Sequence, residues 1–140
     1  MDFDAYRTAY FVDPPPDQRF HYRGSFGATF YFEDYKSAVA FYERVLGPPS
    51  YVEGDGTRGW QIGSGWLTLL QGNEGNPCNV EITIEVESVE EAEALQREFI
   101  SAGAKGDSPS DQLMYRPIRY CPVVDPYGLE IIIIASLDGD

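Results

Sequence analysis

One pattern occurs twice in this chain and constrains its fold more than any other feature. A short apolar strand runs into a capping residue, then an amphipathic helix, then a glycine. In the first copy, residues 28–32 are apolar or aromatic apart from Thr29, Asp34 stands at a helix N-cap, and Gly47 stands where a helix stops. Between them Ala38, Phe41, Tyr42, Val45 and Leu46 form one stripe at helical spacing. In the second copy Val80, Ile82, Ile84 and Val86 alternate with Glu81, Thr83, Glu85 and Glu87, which describes a strand with one wet face. Ser88 then opens a capping box with Glu91, and Val89, Ala92, Leu95, Phe99 and Ala102 form a stripe that ends at Gly103. The two caps, at 34 and 88, are 54 residues apart.

Each copy continues into strands. The first has candidate strands at 58–63 and 66–71 around Gly63-Ser64-Gly65. The second has them at 113–116, 119–124 and 129–135, the last two joined by the turn sequence Asp125-Pro126-Tyr127-Gly128. The expected fold is α+β: two β-α-β-β-β modules, about 27–72 and 79–136, forming a cup-shaped sheet with the helices on one side. Together they make one domain over 27–140. Residues 1–26 read as an aromatic-rich N-terminal arm. Phe3, Tyr6 and Tyr10 share a helical spacing, Pro14–Pro16 force an extended segment, and Phe20, Tyr22 and Phe26 follow. So many aromatics are expected to pack, on their own domain or on a partner subunit.

Composition narrows the function. Twenty-three acidic against ten basic residues give a net charge of −13, which repels phosphate backbones and argues against nucleic acid as a partner. No apolar run reaches the ~18–20 residues of a membrane span, and Met-Asp-Phe-Asp is not the start of a signal peptide, so a cytoplasmic protein is expected. Cys78 and Cys121 are isolated in sequence and are expected to be reduced thiols.

Four segments in fixed order carry a resemblance. They are the strand ending Glu33-Asp34, the helix end Ala40–Gly47, the junction Glu85–Ala92, and Asp125-Pro126-Tyr127-Gly128 followed by a strand. Over residues 27–135 the sequence resembles the vicinal oxygen chelate superfamily, which includes glyoxalase I, extradiol dioxygenases and bleomycin-resistance proteins. The resemblance implies paired β-α-β-β-β modules, a cup-shaped site and a homodimer. It also implies a divalent metal held by His, Gln and Glu side chains. The matching positions here are Gly27, a place within Leu67–Gln71, Glu81 and Ile132. At most one is a normal ligand, so neither a metal nor any other cofactor is expected. The single histidine, His21, lies outside the matching region.

Strand parity selects the residues of the cup. Thr29 and Tyr31 face it from the first strand, with Gly27. Glu81, Thr83 and Glu85 face it from the second module, and Glu130 and Ile132 from the last strand, with Ile134. Trp60 and Trp66 join from the hairpin, and Arg116 and Arg119 are placed to pair with the glutamates. Glutamates on a merely solvated sheet face would give the same pattern. The functional expectation is a metal-free protein that binds a small cationic or aromatic compound, as the resemblance to bleomycin-resistance proteins implies. One alternative is a lyase or isomerase of the same superfamily with a displaced metal site built from Glu81, Glu130 and His21. Another is a sensing or interaction module whose arm mediates assembly.

Overall fold

The fold was obtained as a computed structural model, which describes residues 2–138; Met1, Gly139 and Asp140 lie outside the described residues. The arm begins with helix α1, Phe3–Tyr10, capped by the Asp2 carboxylate, which accepts from the Ala5 N–H at 2.7 Å. The first module follows: β1 Gly27–Phe32, α2 Tyr35–Leu46, β2 Tyr51–Glu53, β3 Thr57–Ile62 and β4 Gly65–Gln71. The second is β5 Glu81–Glu85, α3 Val89–Ser101, β6 Ser110–Leu113, β7 Pro117–Val124 and β8 Glu130–Ser136. Each module builds its own four-stranded sheet, ordered β1-β4-β3-β2 and β5-β8-β7-β6. In both, the first strand runs parallel to the last and the remaining pairs are antiparallel. The expected duplication and α+β class are therefore present, and the sheets do not close into a barrel.

The two modules meet on their helix-bearing side, where α2 packs on α3. Phe41 and Tyr42 of α2 pack on Phe99 of α3, with ring centroids 6.0 and 6.2 Å apart, and Phe32 meets Tyr127 edge-on at 5.8 Å. Burying rings of this size contributes about 1.5–3 kcal/mol each. A buried polar pair crosses the same seam: the Tyr42 hydroxyl donates to the Asp125 carboxylate at 2.6 Å. Asp125 also accepts from the N–H groups of Tyr127 and Leu129, so the Asp-Pro-Tyr-Gly turn is tied by one side chain to the other module. Burial and the adjoining Asp125 charge push the Tyr42 phenol far above the usual tyrosine range.

Two local expectations differ from what is found. Asp34 occupies the N-cap of α2 but does not cap it; its carboxylate accepts from Asn76 at 2.9 Å, pinning the linker that joins the modules. Ser88, by contrast, caps α3 as expected, accepting from the Glu91 N–H at 3.1 Å. The strand expected at 113–116 lies earlier, at Ser110–Leu113, because the Met114 N–H donates to the Arg116 carbonyl and closes a turn there.

Candidate functional site

The helix-free faces of the two sheets carry different chemistry. On the first, Thr29 and Tyr31 point away from the core as expected, and Tyr31 is 61% exposed. Trp66, on β4, shares that face and is 37% exposed. It meets Tyr51 edge-on at 6.2 Å. That contact depends on Gly59 of β3: a Cβ there would lie 3.2 Å from the Tyr51 Cβ and 3.5 Å from the Trp66 ring.

Trp60 needs correction. It is 3% exposed, tilts against Tyr42 and donates its indole N–H to the Gly47 carbonyl at 2.8 Å. The two-residue turn at Gly63-Ser64 pairs Ile62 with Gly65 and Trp60 with Leu67, so Trp60 shares the core side and Trp66 the open side. Arg119 is also corrected. On β7 it shares the helix side with Cys121 and Val123, where it binds Glu93 of α3 at 2.6 Å and Asp111 of β6 at 2.7 Å. Those hydrogen bonds push its pKa up. Arg116 is the arginine that reaches the open side, 3.0 Å from Glu85.

On the second sheet the register sets Glu81 opposite Glu130, Thr83 opposite Ile132 and Glu85 opposite Ile134. Ile118, Ile132 and Ile134 form a buried apolar cluster on this side, with Met114 and Tyr120 packed against it. Above it lies a cavity of about 260 Å³ walled by Glu81, Glu130, Asp107, Lys105, Tyr120 and Ile132. The Tyr120 phenol is pushed above the usual tyrosine range, first by burial and then by the charges of Glu81, Asp107 and Glu130. Among the described residues none of these three carboxylates has an ion-pair partner. Glu81 also lines a larger cleft, about 650 Å³, between β5 and the first module, with Thr83, Glu85, Trp66, Phe26 and Ala28. The two cavities meet at Glu81.

Sequence reasoning missed Tyr120, Asp107 and Lys105. The loop that bears the last two is set by pairing of Lys105 with Val124 and by buried Gln96, which donates to the Asp107 and Pro122 carbonyls at 2.8 and 2.9 Å. Gly106 passes so close to the Pro122 carbonyl that a Cβ would collide with it. A lone glutamine on a helix stripe gives no such signal. Tyr120 lies two positions from Ile118 and shares its face.

The positions that the resemblance assigns to metal ligands do not form a metal site. Gly27 and Ile132 offer no donor side chain, and β4 presents Trp66, Thr68 and Leu70 on the open face. Among the described residues no three His, Cys, Asp or Glu side chains gather to hold an ion, so Glu81, Glu130 and exposed His21 do not form the displaced site. Three or four converging donors are what a transition metal requires.

No protein-family model matches the chain, and no curated protein matches it. Solved structures do. A glyoxalase/bleomycin resistance protein from Catenulispora acidiphila aligns at 20% identity over 79% of this chain and 96% of its own, with a TM-score of 0.62. The chain has the glyoxalase/bleomycin-resistance fold. The bleomycin resistance determinant encoded on transposon Tn5 aligns at 18% identity over 80% of this chain and 97% of its own, TM-score 0.61. Lactoylglutathione lyase from Agrobacterium tumefaciens aligns at 15% identity, 78% and 90% coverage, TM-score 0.60. The vicinal oxygen chelate fold expected from the sequence is thus the fold found. Among the described residues no helix is long and apolar enough to cross a membrane.

Proposed function

We propose that this chain binds a small cationic, partly aromatic compound on its helix-free face and does no chemistry on it. The observation that carries the reading is the set of carboxylates around Tyr120. Glu81, Asp107 and Glu130 lack ion-pair partners among the described residues and surround a cavity floored by Ile132. A protonated amine or guanidine there would gain charge-assisted hydrogen bonds from the carboxylates. An aromatic body would extend past Glu81 into the larger cleft, where Trp66 offers a ring face worth about 0.5–2 kcal/mol to a cation. Bleomycin-resistance proteins, among the structural neighbours, make sequestration of such a compound a natural form of this function.

The test is a panel of cationic aromatic compounds read by melting temperature and tryptophan fluorescence. A ligand should raise the melting temperature and quench Trp66, and Trp66→Phe should abolish the quench while Trp60 stays silent. Glu130→Gln should weaken affinity about tenfold, equivalent to about 1.4 kcal/mol. No shift in either signal across the panel would refute the reading. Stoichiometric zinc, nickel or iron in protein purified without chelator would favour a lyase or isomerase instead.

A further inference from the structure

A second polar cavity lies on the helix side of the first module, across the sheet from Trp66. Arg58 stands two positions before Trp60 on β3 and shares its face, at the end of the sheet where α2 begins. There Tyr35, Lys36 and Val39 of α2 and Asp55 and Arg58 of the β2–β3 hairpin wall a cavity of about 360 Å³. The chain has ten basic residues against twenty-three acidic ones, yet two of the ten line this one cavity. Neither Lys36 nor Arg58 forms an ion pair among the described residues.

Tyr35 is only 4% exposed, and its hydroxyl has no hydrogen-bond partner among the described residues. Native proteins pair nearly all such buried groups, because leaving one unpaired is unfavourable. Burial pushes the Tyr35 phenol above the usual tyrosine range; Arg58 pulls it back and Asp55 adds to the rise, so the group is a neutral O–H that can donate. Arg58 is already held in place: its Nη1 donates to the Gly54 and Thr57 carbonyls, at 2.7 Å each. Its Nε and Nη2 donors, the pair that matches the two oxygens of a carboxylate, have no partner among the described residues. The first turn of α2 carries no acidic residue and no side-chain cap, so the positive end of the helix adds to the field. Exposed Asp55 opposes it with one negative charge.

We infer that this cavity binds a small carboxylate carrying a hydrogen-bond donor on the neighbouring carbon, as in a hydroxy or amino acid. The carboxylate takes the free edge of Arg58, the Lys36 ammonium and the Tyr35 O–H, and the ligand's own donor answers Asp55. Two cations against one acid select an anion. Asp55 then selects among anions, because a ligand without a donor meets its repulsion with nothing to offset it. Val39 supplies one apolar wall for a short side chain. This cavity is separate from the cleft at Trp66, and its occupant does not depend on the function proposed there.

Glycolate and glycine are the probes, with acetate and sulfate at equal ionic strength for comparison. In NMR titrations of the full-length protein, glycolate should saturably shift the Arg58 Nε–H and the Tyr35 and Lys36 amides, and it should raise the melting temperature. Lys36→Ala should weaken binding about tenfold, and so should Arg58→Lys, which keeps the charge and loses the paired donors. Arg97→Ala, at an exposed arginine of α3, should leave binding unchanged. Tyr35→Phe gives the decisive sign. It removes the stranded hydroxyl, so it should melt above wild type without ligand yet bind glycolate about threefold more weakly. Asp55→Asn should lessen the preference for glycolate over acetate. No saturable shift by glycolate or glycine, sulfate binding as tightly as glycolate, or indifference to Lys36→Ala and Arg58→Lys would each overturn the inference. So would a Tyr35→Phe variant whose glycolate affinity equals that of wild type.

Discussion

The two modules share strand order, helix placement and pairing, yet their helix-free faces differ. The first presents Tyr31, Trp66 and Tyr51; the second presents Glu81, Glu85 and Glu130 over buried isoleucines. Their turns differ too. The β3–β4 turn is two residues whose exposed Ser64 hydroxyl donates outward to the Gly24 carbonyl, whereas the β7–β8 turn is held by buried Asp125 with three donors. A repeated backbone fixes where side chains point and leaves open what they are. The core sides differ in residue yet stay apolar, with Phe30, Phe32, Leu67 and Leu69 in one module and Ile84, Val123, Ile131 and Ile133 in the other, whereas the open sides differ in chemical character.

That contrast can be broken most severely at Asp125. Asp125→Ala strands the Tyr42 hydroxyl and two N–H groups, each costing about 1–3 kcal/mol when buried unpaired. We expect a loss of about 3–5 kcal/mol in urea unfolding, against under about 1 kcal/mol for Ser64→Ala in the matching turn. Equal losses would mean the turns are equivalent after all. The same bond sets an alkaline limit. Tyr42 stays neutral in the native state while an unfolded tyrosine ionises near pH 10, so its contribution is intact below about pH 10 and falls as pH rises, by about 1.4 kcal/mol per unit. Tyr42→Phe should flatten that slope.

The tryptophans sharpen the comparison next. Trp60→Ala should cost about 3–5 kcal/mol as a core truncation. Trp66→Ala should cost under about 1 kcal/mol and act on binding alone. The caps give the smallest effect. Ser88→Ala should lose about 1 kcal/mol, and Asp34→Ala under about 0.5 kcal/mol as a cap, since its carboxylate serves Asn76 instead.

Much of this was legible in the sequence because strand alternation is rigid arithmetic. The run Val80–Glu87 placed Glu81, Thr83 and Glu85 on the open face, and the helix stripes named Phe41, Tyr42 and Phe99 as core. Trp60 and Trp66 lie on either side of a turn with five residues between them, and only the register around Gly63-Ser64 assigns them to opposite faces. Arg119 looked like a partner for the cup glutamates, but Glu93 and Asp111 come to it from elements distant in sequence. Tyr120 and Asp107 depend on a loop whose position is fixed by buried Gln96, and no periodicity reports that.

The aromatic seam between α2 and α3 also determines how the molecule comes apart. Phe41, Tyr42 and Phe99 are each buried partly by the opposite half, so neither half has a complete interior of its own. Duplication in this chain has produced a single cooperative body: loosening one repeat wets the other, and a polypeptide cut at the linker would leave two sticky fragments where there had been one protein.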